Sequence, residues 1–497
     1  MKTKHNKIFT LVYILTVAII LITICSQCSP LYPTNFWVDT NTIFTVGRNL
    51  DSKVMYRDLY DQKGPWMYFI YYAASLIQRD GFFGLYLIEI AFAFAFIYIS
   101  FKTLELFNKK YSLPLLTVIV TVLYSSKTFM WGGSAEELSL PFNAYALYLV
   151  ARHYKTNKLP TNNEFIFAGI GAGLIFYIKF SLLGSMFGLV LALLLLAIFN
   201  GKIKLFFSKL WYVILGFLIS SIIPLAYFII NGAMLDFYTC YIYNNIFLYH
   251  SSVTNTFSEI SKRAKWLLKF IRIAYIDNKY AFLTIVLAFI STIIYTIKKN
   301  ARYTLIFVLS FICTFVIYSG NHRYDYYEFV FAFFAPLMII PIASFLAFLE
   351  KKISLLSSKY IYSAMLALAI AVSIPLALRW SYSTFLMGVD KSELPQYKFA
   401  KIIKSYPKGN ILNITTLDSG IFLASDIEPD RKNFCVLNVN TLETMNEHSR
   451  AIENGEYMWV YSKYKPINSD KYELASYEYY YFIPNEKTDY FLYKRKD

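Results

Sequence analysis

The residues best suited to chemistry lie in one segment near the N-terminus of the chain, between Trp37 and Pro65. Asp39 comes directly after an aromatic stretch and opens the segment, and a dense run of charged residues follows it: Arg48, Asp51, Lys53, Arg57, Asp58, Asp61 and Lys63. An Arg or a Lys can hold a phosphate, and a carboxylate can take the proton of an attacking hydroxyl. The segment therefore predicts a site that combines phosphate binding with general-base chemistry.

Two further turns carry ionisable residues at the ends of apolar segments. Glu136 and Glu137 belong to the turn MWGGSAEELSLPF, and a later turn, SGNHRYDYYEFVF, contains His322, Arg323, Tyr324 and Asp325. Ionisable residues at the ends of membrane spans are functional hypotheses by default. The three clusters together predict a polar cavity at one face of a helical bundle, although His322 is also typical of a simple interfacial residue.

The elements that position these residues must be membrane helices, because the composition fits no other class. The chain has 497 residues, of which 57% are hydrophobic and 16% are charged, and the mean hydropathy is +0.43. Soluble domains carry about 25% charged residues. The composition excludes a soluble enzyme, a disordered chain, a collagen and a disulfide scaffold. It predicts a polytopic α-helical membrane protein.

About eleven spans are predicted from runs of about 20 mainly apolar residues, the length that crosses a bilayer. They cover 8–28, 83–101, 112–130, 138–151, 165–178, 183–199, 210–230, 280–297, 303–319, 328–349 and 360–378. Lys179 interrupts one long apolar stretch, so the pair at 165–199 is interpreted as two spans joined by a tight turn. The first span is interpreted as an uncleaved helix rather than a signal peptide.

The orientation of the bundle follows from its basic loops. Every second connection is short and carries three basic residues: 2–7, 102–110, 152–158, 202–209, 298–302 and 351–359. The positive-inside rule places these loops, and with them the N-terminus, in the cytoplasm. An odd number of spans then places the C-terminus outside. The net charge of +16 therefore indicates membrane orientation and not nucleic-acid binding.

The external segments predict two domains. Residues 1–378 form a transmembrane catalytic domain with long external loops at 29–82 and 231–279, and residues 379–497 form a small extracytoplasmic α/β domain. In the first loop, 36–46 and 65–77 predict amphipathic helices in the headgroup zone. In the tail, strand-like runs at 410–417, 433–439 and 457–464 alternate with predicted helices near 394–405 and 440–453.

Cofactor motifs are weak throughout the chain. Cys25 and Cys28 form a C-x-x-C pair at the end of an apolar helix, with no second pair or His cluster to complete a metal or redox site. The run Gly169-x-Gly171-x-Gly173 lies inside a span and indicates close helix packing rather than a phosphate loop. The sequence predicts no cofactor and no metal, and gives no indication of a divalent cation.

The pattern W-V-D…G-R…Y-R-D-L-Y-D-Q-K-G-P resembles the first external loop of GT-C-fold glycosyltransferases that use polyprenyl-phosphate sugars. Within that fold, the loop is most similar to two families: the bacterial relatives of protein O-mannosyltransferases and the lipid A aminoarabinose transferases. Those families place an Asp, often in an acidic pair, after the first span, and follow it with an Arg/Asp segment and a Lys-Pro-Pro-like motif. Here Asp39 is followed by Thr40, and the motif reads Lys63-Gly64-Pro65, with Gly in place of one Pro.

The resemblance implies a role for each candidate residue. Asp39 would be the general base or the carboxylate that positions the acceptor, and Glu136 or Glu137 would help to organise the site or supply the base instead. Arg57 and Lys63 would hold the donor phosphate, although Lys63 also fits an interfacial lysine. Asp58 and Asp61 would pair with Arg57 and Lys63, or line the site with the third group of residues: His322, Arg323 and Tyr324.

The function that the resemblance implies is transfer of a hexosyl or pentosyl group, with inversion, from a polyprenyl-phosphate-linked donor. The acceptor would be an extracytoplasmic glycan, lipid or protein of a bacterial cell envelope. No nucleotide-binding motif is present, in keeping with a lipid-linked donor and with no nucleic-acid partner. A polysaccharide polymerase or ligase with a lipid-diphosphate donor is the alternative. A transporter or flippase is disfavoured, because no repeat is evident and the polar residues cluster at one face.

Overall fold

The computed structural model describes residues 2–248, 257–297, 300–318, 323–353, 358–407, 409–414, 416–437, 442–481 and 487–496. The α-helices are α1 Lys2–Cys25, α2 Val38–Arg48, α3 Pro65–Ile77, α4 Phe83–Glu105, α5 Lys109–Tyr124, α6 Ala135–Thr156, α7 Asn162–Lys179, α8 Gly184–Phe199, α9 Ile203–Ile230, α10 Met234–Phe237, α11 Phe257–Asp277, α12 Lys279–Ile297, α13 Ala301–Thr314, α14 Ile339–Lys352, α15 Lys359–Trp380, α16 Pro395–Lys404, α17 Ile421–Ser425 and α18 Leu442–Asn454. The strands are β1 Ile411–Ile414, β2 Trp459–Lys463, β3 Tyr472–Tyr481 and β4 Lys487–Arg495.

Within the described residues, eight helical segments are long and apolar enough to cross a membrane. They are Lys7–Cys25, Phe83–Glu105, Asn162–Phe199, Ile203–Ile230, Lys279–Ile297, Ala301–Tyr318, Asp325–Lys352 and Tyr360–Trp380. The polytopic helical architecture is thereby confirmed, whereas the predicted number of eleven spans stays a prediction.

The structure has three fewer candidate spans than the eleven predicted ones, and each of the three differences has a local cause. The segment Asn162–Phe199 is 38 residues long and contains both α7 and α8, which a 3₁₀ turn at Phe180–Leu183 separates directly after Lys179. The predicted span at 112–130 corresponds to α5, which has only 16 residues. The predicted span at 138–151 lies inside α6, a helix of 22 residues with two Glu in its first turn and basic residues in its last.

The chain divides by its internal contacts into two compact units. Unit 1 comprises Met1–Ser26, Leu87–Ile223 and Val253–Thr384 and contains most of the apolar helices. Unit 2 comprises Gln27–Tyr86, Pro224–Ser252 and Phe385–Asp497, so the first polar loop and the C-terminal tail belong to the same unit.

Small residues allow two long helices of unit 1 to pack closely. A Cβ at Gly169 of α7 would overlap the carbonyl oxygen of Val213 on α9, and a Cβ at Gly173 would overlap Ser220 Oγ. Gly216 of α9 approaches the carbonyl oxygen of Ile166 in the same way. Helix backbones can approach this closely only where side chains are absent. The interpretation of the glycine run as a helix-packing motif is confirmed.

In unit 2, the two aromatic patches of the first loop form helices, as predicted. Pro65 stands at the first position of α3, where its fixed φ favours the helix and its missing N–H costs nothing. Helix α2 packs against α3, where Gly47 lies close to the Cβ of Tyr71 and the rings of Phe44 and Tyr71 meet edge to face. Nearly every residue of α2 is buried, so protein surrounds this helix on all sides. The prediction of an amphipathic helix lying in the headgroup zone is therefore wrong for α2, because such a helix would leave an apolar face open to lipid.

The C-terminal tail contains a four-stranded sheet in the order β1-β2-β4-β3. Strands β1 and β2 are parallel, and β4 pairs antiparallel with both β2 and β3. Helix α18 covers one face through Ala451, which packs with Leu412, Val460 and Tyr493. The sheet and its helices confirm the predicted small α/β arrangement in this part of the chain.

The individual strand predictions for the tail were partly wrong. The runs at 410–417 and 457–464 contain β1 and β2, and the predicted helices correspond to α16 and α18. The run at 433–439 forms no strand over its described part, 433–437, because only an isolated backbone bond from Val436 to Thr416 ties it to a neighbour. Strands β3 and β4 were missed because each mixes Tyr with charged residues and contains few aliphatic side chains.

Candidate active site

The centre of the candidate site in unit 2 is an ion pair between Asp39 and Lys63. Asp39 lies in the first turn of α2, and Lys63 lies two residues before α3 begins. Lys63 Nζ donates a hydrogen bond of 3.0 Å to Asp39 Oδ2, and each residue is only 8% exposed. The structure thus brings together the predicted base and the predicted phosphate ligand, which are 24 positions apart in the sequence.

Two tyrosine hydroxyls fix the backbone of Lys63. Its amide N–H donates to Tyr68 Oη at 3.1 Å, and its carbonyl oxygen accepts a hydrogen bond from the hydroxyl of Tyr56. Both tyrosine rings are fully buried and meet edge to face, with centroids 5.9 Å apart. A side chain whose backbone is held on both sides keeps its position, which is the preorganisation that a binding site needs.

Asp61 is the second carboxylate close to Lys63. Tyr68 Oη donates to Asp61 Oδ2 at 2.9 Å, so one hydroxyl links this carboxylate to the Lys63 backbone. Burial raises the pKa of Asp61, and the charge of Asp39 adds to this effect, while Lys63 and the hydrogen bonds oppose it. The Lys63 ammonium therefore interacts electrostatically with two buried carboxylates, of which Asp39 is its direct partner.

Arg57 and Asp58 form a separate and more exposed pair. Arg57 Nε donates to Asp58 Oδ1 at 3.1 Å, and Arg57 Nη1 donates to the carbonyl oxygen of Asn231 at 3.0 Å. Asp58 also accepts from the amide of Val54 at 2.7 Å, which closes the loop locally. The side chain of Arg57 is 46% exposed, in contrast to the buried Lys63. The expected pairing of Asp58 with Arg57 is present in the structure.

In unit 1, Glu136 forms an ion pair with Lys179. Lys179 Nζ lies 2.7 Å from Glu136 Oε1 and 4.0 Å from the ring centroid of Tyr327. Glu136 is 1% exposed and stands in the first turn of α6, whereas Lys179 ends α7. Lys179 was not among the predicted site residues. Its signal was present, since a lysine inside a predicted apolar stretch is itself a functional hypothesis.

Glu137 lies beside a second glutamate that the sequence analysis also missed. The amide N–H of Gly133 donates to both carboxylates, at 2.7 Å to Glu89 Oε1 and at 3.1 Å to Glu137 Oε2. Ser26 Oγ donates to Glu89 Oε2 at 2.8 Å. Both glutamates are buried, so the fold brings two carboxylates together away from water. Glu89 was missed although it is an acid inside a predicted span.

The third predicted cluster is a charge network in unit 1. Arg323 contacts Glu328 at 2.7 Å, Asp325 at 2.9 Å and Asp277 at 3.1 Å. Asp325 also pairs with Lys127 at 2.7 Å. Arg323 therefore joins three carboxylates.

Of the two residues next to Arg323 in the sequence, the structure describes Tyr324 but not His322. The ring of Tyr324 stacks on Tyr326 with centroids 5.7 Å apart. His322 lies outside the described residues.

Metal ligands and thiols are the remaining groups of the described residues that could take part in chemistry. No group of three or more His, Cys, Asp or Glu side chains suited to a metal ion occurs among the described residues. All five cysteines are free thiols, and Cys25 and Cys28 are both buried. The ammonium of Lys63 is suited to bind an anion, and the carboxylates beside it are suited to accept a proton.

Searches with known proteins gave structural matches only. No protein-family model matches the chain, and no curated protein matches it. The structure of ArnT from Cupriavidus metallidurans bound to undecaprenyl phosphate matches with a TM-score of 0.56 and 11% identity, over 98% of each chain. The apo structure of the same ArnT matches with a TM-score of 0.55 and 12% identity, over 93% of each chain.

The oligosaccharyltransferase of Archaeoglobus fulgidus, in complex with Zn and sulfate, is also similar. It matches with a TM-score of 0.51 and 12% identity, over 91% of this chain and 68% of that chain. At these identities the matches establish the fold alone. They confirm the GT-C-like architecture that the loop motif predicted.

Proposed function

We propose that this chain is a membrane glycosyltransferase that moves a sugar from a polyprenyl-phosphate-linked donor to an extracytoplasmic acceptor. The observation that carries the proposal is the buried Asp39–Lys63 pair. It brings together a carboxylate suited to act as a base and an ammonium suited to bind a phosphate, in a chain with the fold of ArnT and an oligosaccharyltransferase. The resemblance of the loop motif assigns the same two residues to these roles.

Lys63 is the proposed ligand of the donor phosphate. An ammonium has three N–H donors, so binding Asp39 is compatible with a phosphate oxygen as a further acceptor. A charge-assisted bond in a buried site is stronger than the same bond in water. The ArnT structure bound to undecaprenyl phosphate supports a lipid phosphate as the donor for this chain. Arg57, more exposed, is proposed to assist donor binding.

Asp39 is the proposed base. The acceptor hydroxyl attacks the anomeric carbon, a C–O bond forms with inversion, and the bond from that carbon to the phosphate oxygen breaks. The polyprenyl phosphate leaves with the bonding electrons, and Asp39 takes the proton of the hydroxyl.

The other predicted residues have supporting roles in this proposal. Asp61 holds the Lys63 segment through Tyr68, and Asp58 orients Arg57. Glu136 and Glu137 are proposed to contribute to catalysis, and Arg323 and Tyr324 to line the site. The transferred group is a hexose or a pentose. No nucleotide and no nucleic acid take part.

The proposed location is the cell membrane of a bacterium, with the N-terminus in the cytoplasm and residues 379–497 outside. The basic residues of the short loops support this orientation. The acceptor is then a glycan, a lipid or a protein of the cell envelope.

The test is a transfer assay with the full-length chain in nanodiscs. Synthetic polyprenyl-phosphate sugars are supplied with an envelope extract, and release of polyprenyl phosphate is followed by mass spectrometry. Sugar-dependent release by the parent, and its loss in Asp39→Asn, is the expected result. Consumption of lipid-diphosphate donors alone would instead establish a polymerase or ligase. Consumption of neither class of donor would overturn the proposal.

A further inference from the structure

Helix α2 is joined to the C-terminal tail, within unit 2, through one buried carboxylate. Asp418 lies seven residues after the start of β1 and is completely buried. Its Oδ2 accepts a hydrogen bond of 2.8 Å from Thr45 Oγ1 of α2, and its amide N–H donates to Thr42 Oγ1 at 2.9 Å. Two successive turns of α2 therefore hold the same residue of the tail.

The second carboxylate oxygen of Asp418 also accepts hydrogen bonds. Its Oδ1 accepts from the amides of Gly420 and Ile421, at 2.8 and 3.1 Å. Gly420 has a φ of +91°, and a Cβ there would come within 2.9 Å of Asn41 Oδ1. The turn is thus built without a side chain where it meets α2, which is what a close approach between backbone and helix requires.

A second contact fixes the far end of α2. Arg48, in its last turn, is 2% exposed and donates from Nη2 to the carbonyl oxygen of Phe422 at 3.0 Å. Ser419, next to Asp418, shares a hydrogen bond of 2.8 Å with the Tyr461 hydroxyl of β2. The sheet, the Asp418 turn and α2 form one continuous hydrogen-bonded structure.

This structure reaches the residue before Asp39. Thr42 Oγ1, which accepts from the Asp418 amide, donates in turn to the carbonyl oxygen of Val38 at 2.8 Å. Val38 is the first residue of α2, and Asp39 follows it. A shift of α2 by a fraction of an ångström would move the Asp39 carboxylate relative to Lys63.

We propose that Asp418 is a positioning residue that uses the C-terminal tail to hold α2, and with it Asp39, in the geometry required for transfer. This inference rests on the proposed function, in which Asp39 is the base. It gives the tail a role in turnover itself. Displacement by about 1 Å can reduce an enzyme's rate by about a hundredfold, so loss of the Asp418 contacts should be visible in kcat.

The kinetic test compares variants of the full-length chain in nanodiscs. Asp418→Ala should lower kcat by about tenfold or more with little change in the KM for the lipid donor, because Lys63 is held by Tyr56 and Tyr68. Thr45→Val, which removes the same bond from the α2 side, should have the same effect. Thr45→Ser, which keeps the hydroxyl, should restore kcat. A purely structural role would instead lower thermal stability and the amount of folded protein, with kcat per folded molecule unchanged.

The matched control is Asp430→Ala. Asp430 is a carboxylate of the same tail that accepts hydrogen bonds of 3.0 Å from Asn410 and from the Tyr457 hydroxyl, both within the tail. Its loss should affect thermal stability and leave kcat unchanged. Equal losses of kcat in Asp418→Ala and Asp430→Ala would overturn the proposal.

Hydrogen–deuterium exchange separates this inference from the proposed function. Amides of α2 in Asp418→Ala and Thr45→Val should exchange about tenfold faster than in the parent, and those in Asp430→Ala should not. This measurement needs no substrate. If the parent transferred no sugar, the proposed function would fail, and the exchange data would still decide whether Asp418 holds α2. Unchanged exchange in both variants would overturn the inference, whatever the parent's activity.

Discussion

Lys63 Nζ lies 3.0 Å from Asp39 Oδ2, and both side chains are withdrawn from solvent. Ion pairs at the protein surface contribute little to stability. A buried ion pair such as this one often contributes no more than a well-packed apolar pair in its place. Stability alone is therefore a weak reason for the pair. The proposed roles of Lys63 as the phosphate ligand and of Asp39 as the base explain the pair better.

Replacing the carboxylate tests the base directly. Asp39→Asn keeps the shape of the side chain but removes its charge and most of its basicity. Transfer should fall by about 10²–10⁴-fold, the range that a positioned base commonly contributes, while binding of the lipid donor is retained. The control is Asp51→Asn in the same loop, where the carboxylate is 45% exposed and pairs with Arg79. Equal transfer rates for Asp39→Asn and the parent, at matched expression, would show that another group is the base.

Removing the ammonium tests donor binding. Lys63→Ala should weaken binding of the lipid donor by about tenfold or more, because one charge-assisted contact contributes on the order of 1.5–3 kcal/mol. Lys63→Arg should not restore binding, since a planar fork and a point charge differ in shape. Arg57→Ala should have a smaller effect, because the side chain of Arg57 is half exposed. Binding is measured with a fluorescent lipid phosphate in nanodiscs, and parent-like binding by Lys63→Ala would favour the interfacial-lysine interpretation.

Both members of the Asp39–Lys63 pair could be singled out from the sequence because the information that marks them is local. Asp39 and Lys63 stand in one short segment, and the aromatic patches around them have the period and the Pro65 start of helices. A motif this short can be recognised in a single sequence, because it does not depend on contacts between distant parts of the chain. Its chemistry could be inferred from residue types alone.

The partners of the other candidate residues could not be predicted in the same way. Glu136 meets Lys179 across 43 positions, and Thr45 meets Asp418 across 373. Such pairs depend on how helices and strands pack, and nothing local marks them. Residue composition also misled the strand predictions in the tail, because β3 and β4 mix Tyr with charged residues and contain few aliphatic side chains.

The ion pair of Glu136 and Lys179 predicts that a single variant is much less stable than the double variant that removes both charges. Lys179→Met leaves a buried carboxylate without its partner and should destabilise the chain by about 3–5 kcal/mol. The double variant Glu136→Gln/Lys179→Met should recover most of that loss. Lys110→Ala is the control, because Lys110 and Glu350 are also 2.7 Å apart but are each a quarter or more exposed, and it should cost about 1 kcal/mol or less. Thermal unfolding in detergent measures all of these, and a double variant no better than Lys179→Met would refute the coupling.

The basic loops predict the orientation of the chain. A reporter fused after Lys155 should report a cytoplasmic position, and one fused after Asp497 an extracytoplasmic position, because basic residues in short loops are retained inside. Paired phosphatase and fluorescent-protein fusions provide the measurement, with each fusion expected to be active on one side only. A cytoplasmic C-terminus would contradict the odd number of spans and the proposed placement of Asp39 outside.

Lys463 provides a prediction about pH and stability in the C-terminal tail. It lies in β2 and is 5% exposed, and burial lowers its pKa from 10.5 to about 8. Between about pH 8 and pH 10.5 the unfolded chain binds more protons at this residue than the folded chain, so the free energy of unfolding should rise with pH there. Below about pH 8 both states carry the proton, and the folded state carries the full cost of burying the charge.

Lys463→Met should remove that cost while keeping most of the apolar stem. At pH 7 the variant should be more stable by on the order of 3 kcal/mol, since each pKa unit corresponds to about 1.4 kcal/mol. The gain should shrink as the pH approaches 10, where the parent has lost much of its penalty. Lys471→Met, at an exposed lysine of the same tail, should leave the dependence on pH unchanged. Thermal unfolding of the full-length chain between pH 7 and 10 is the measurement, and a parallel curve for parent and Lys463→Met would show that Lys463 is not the titrating group.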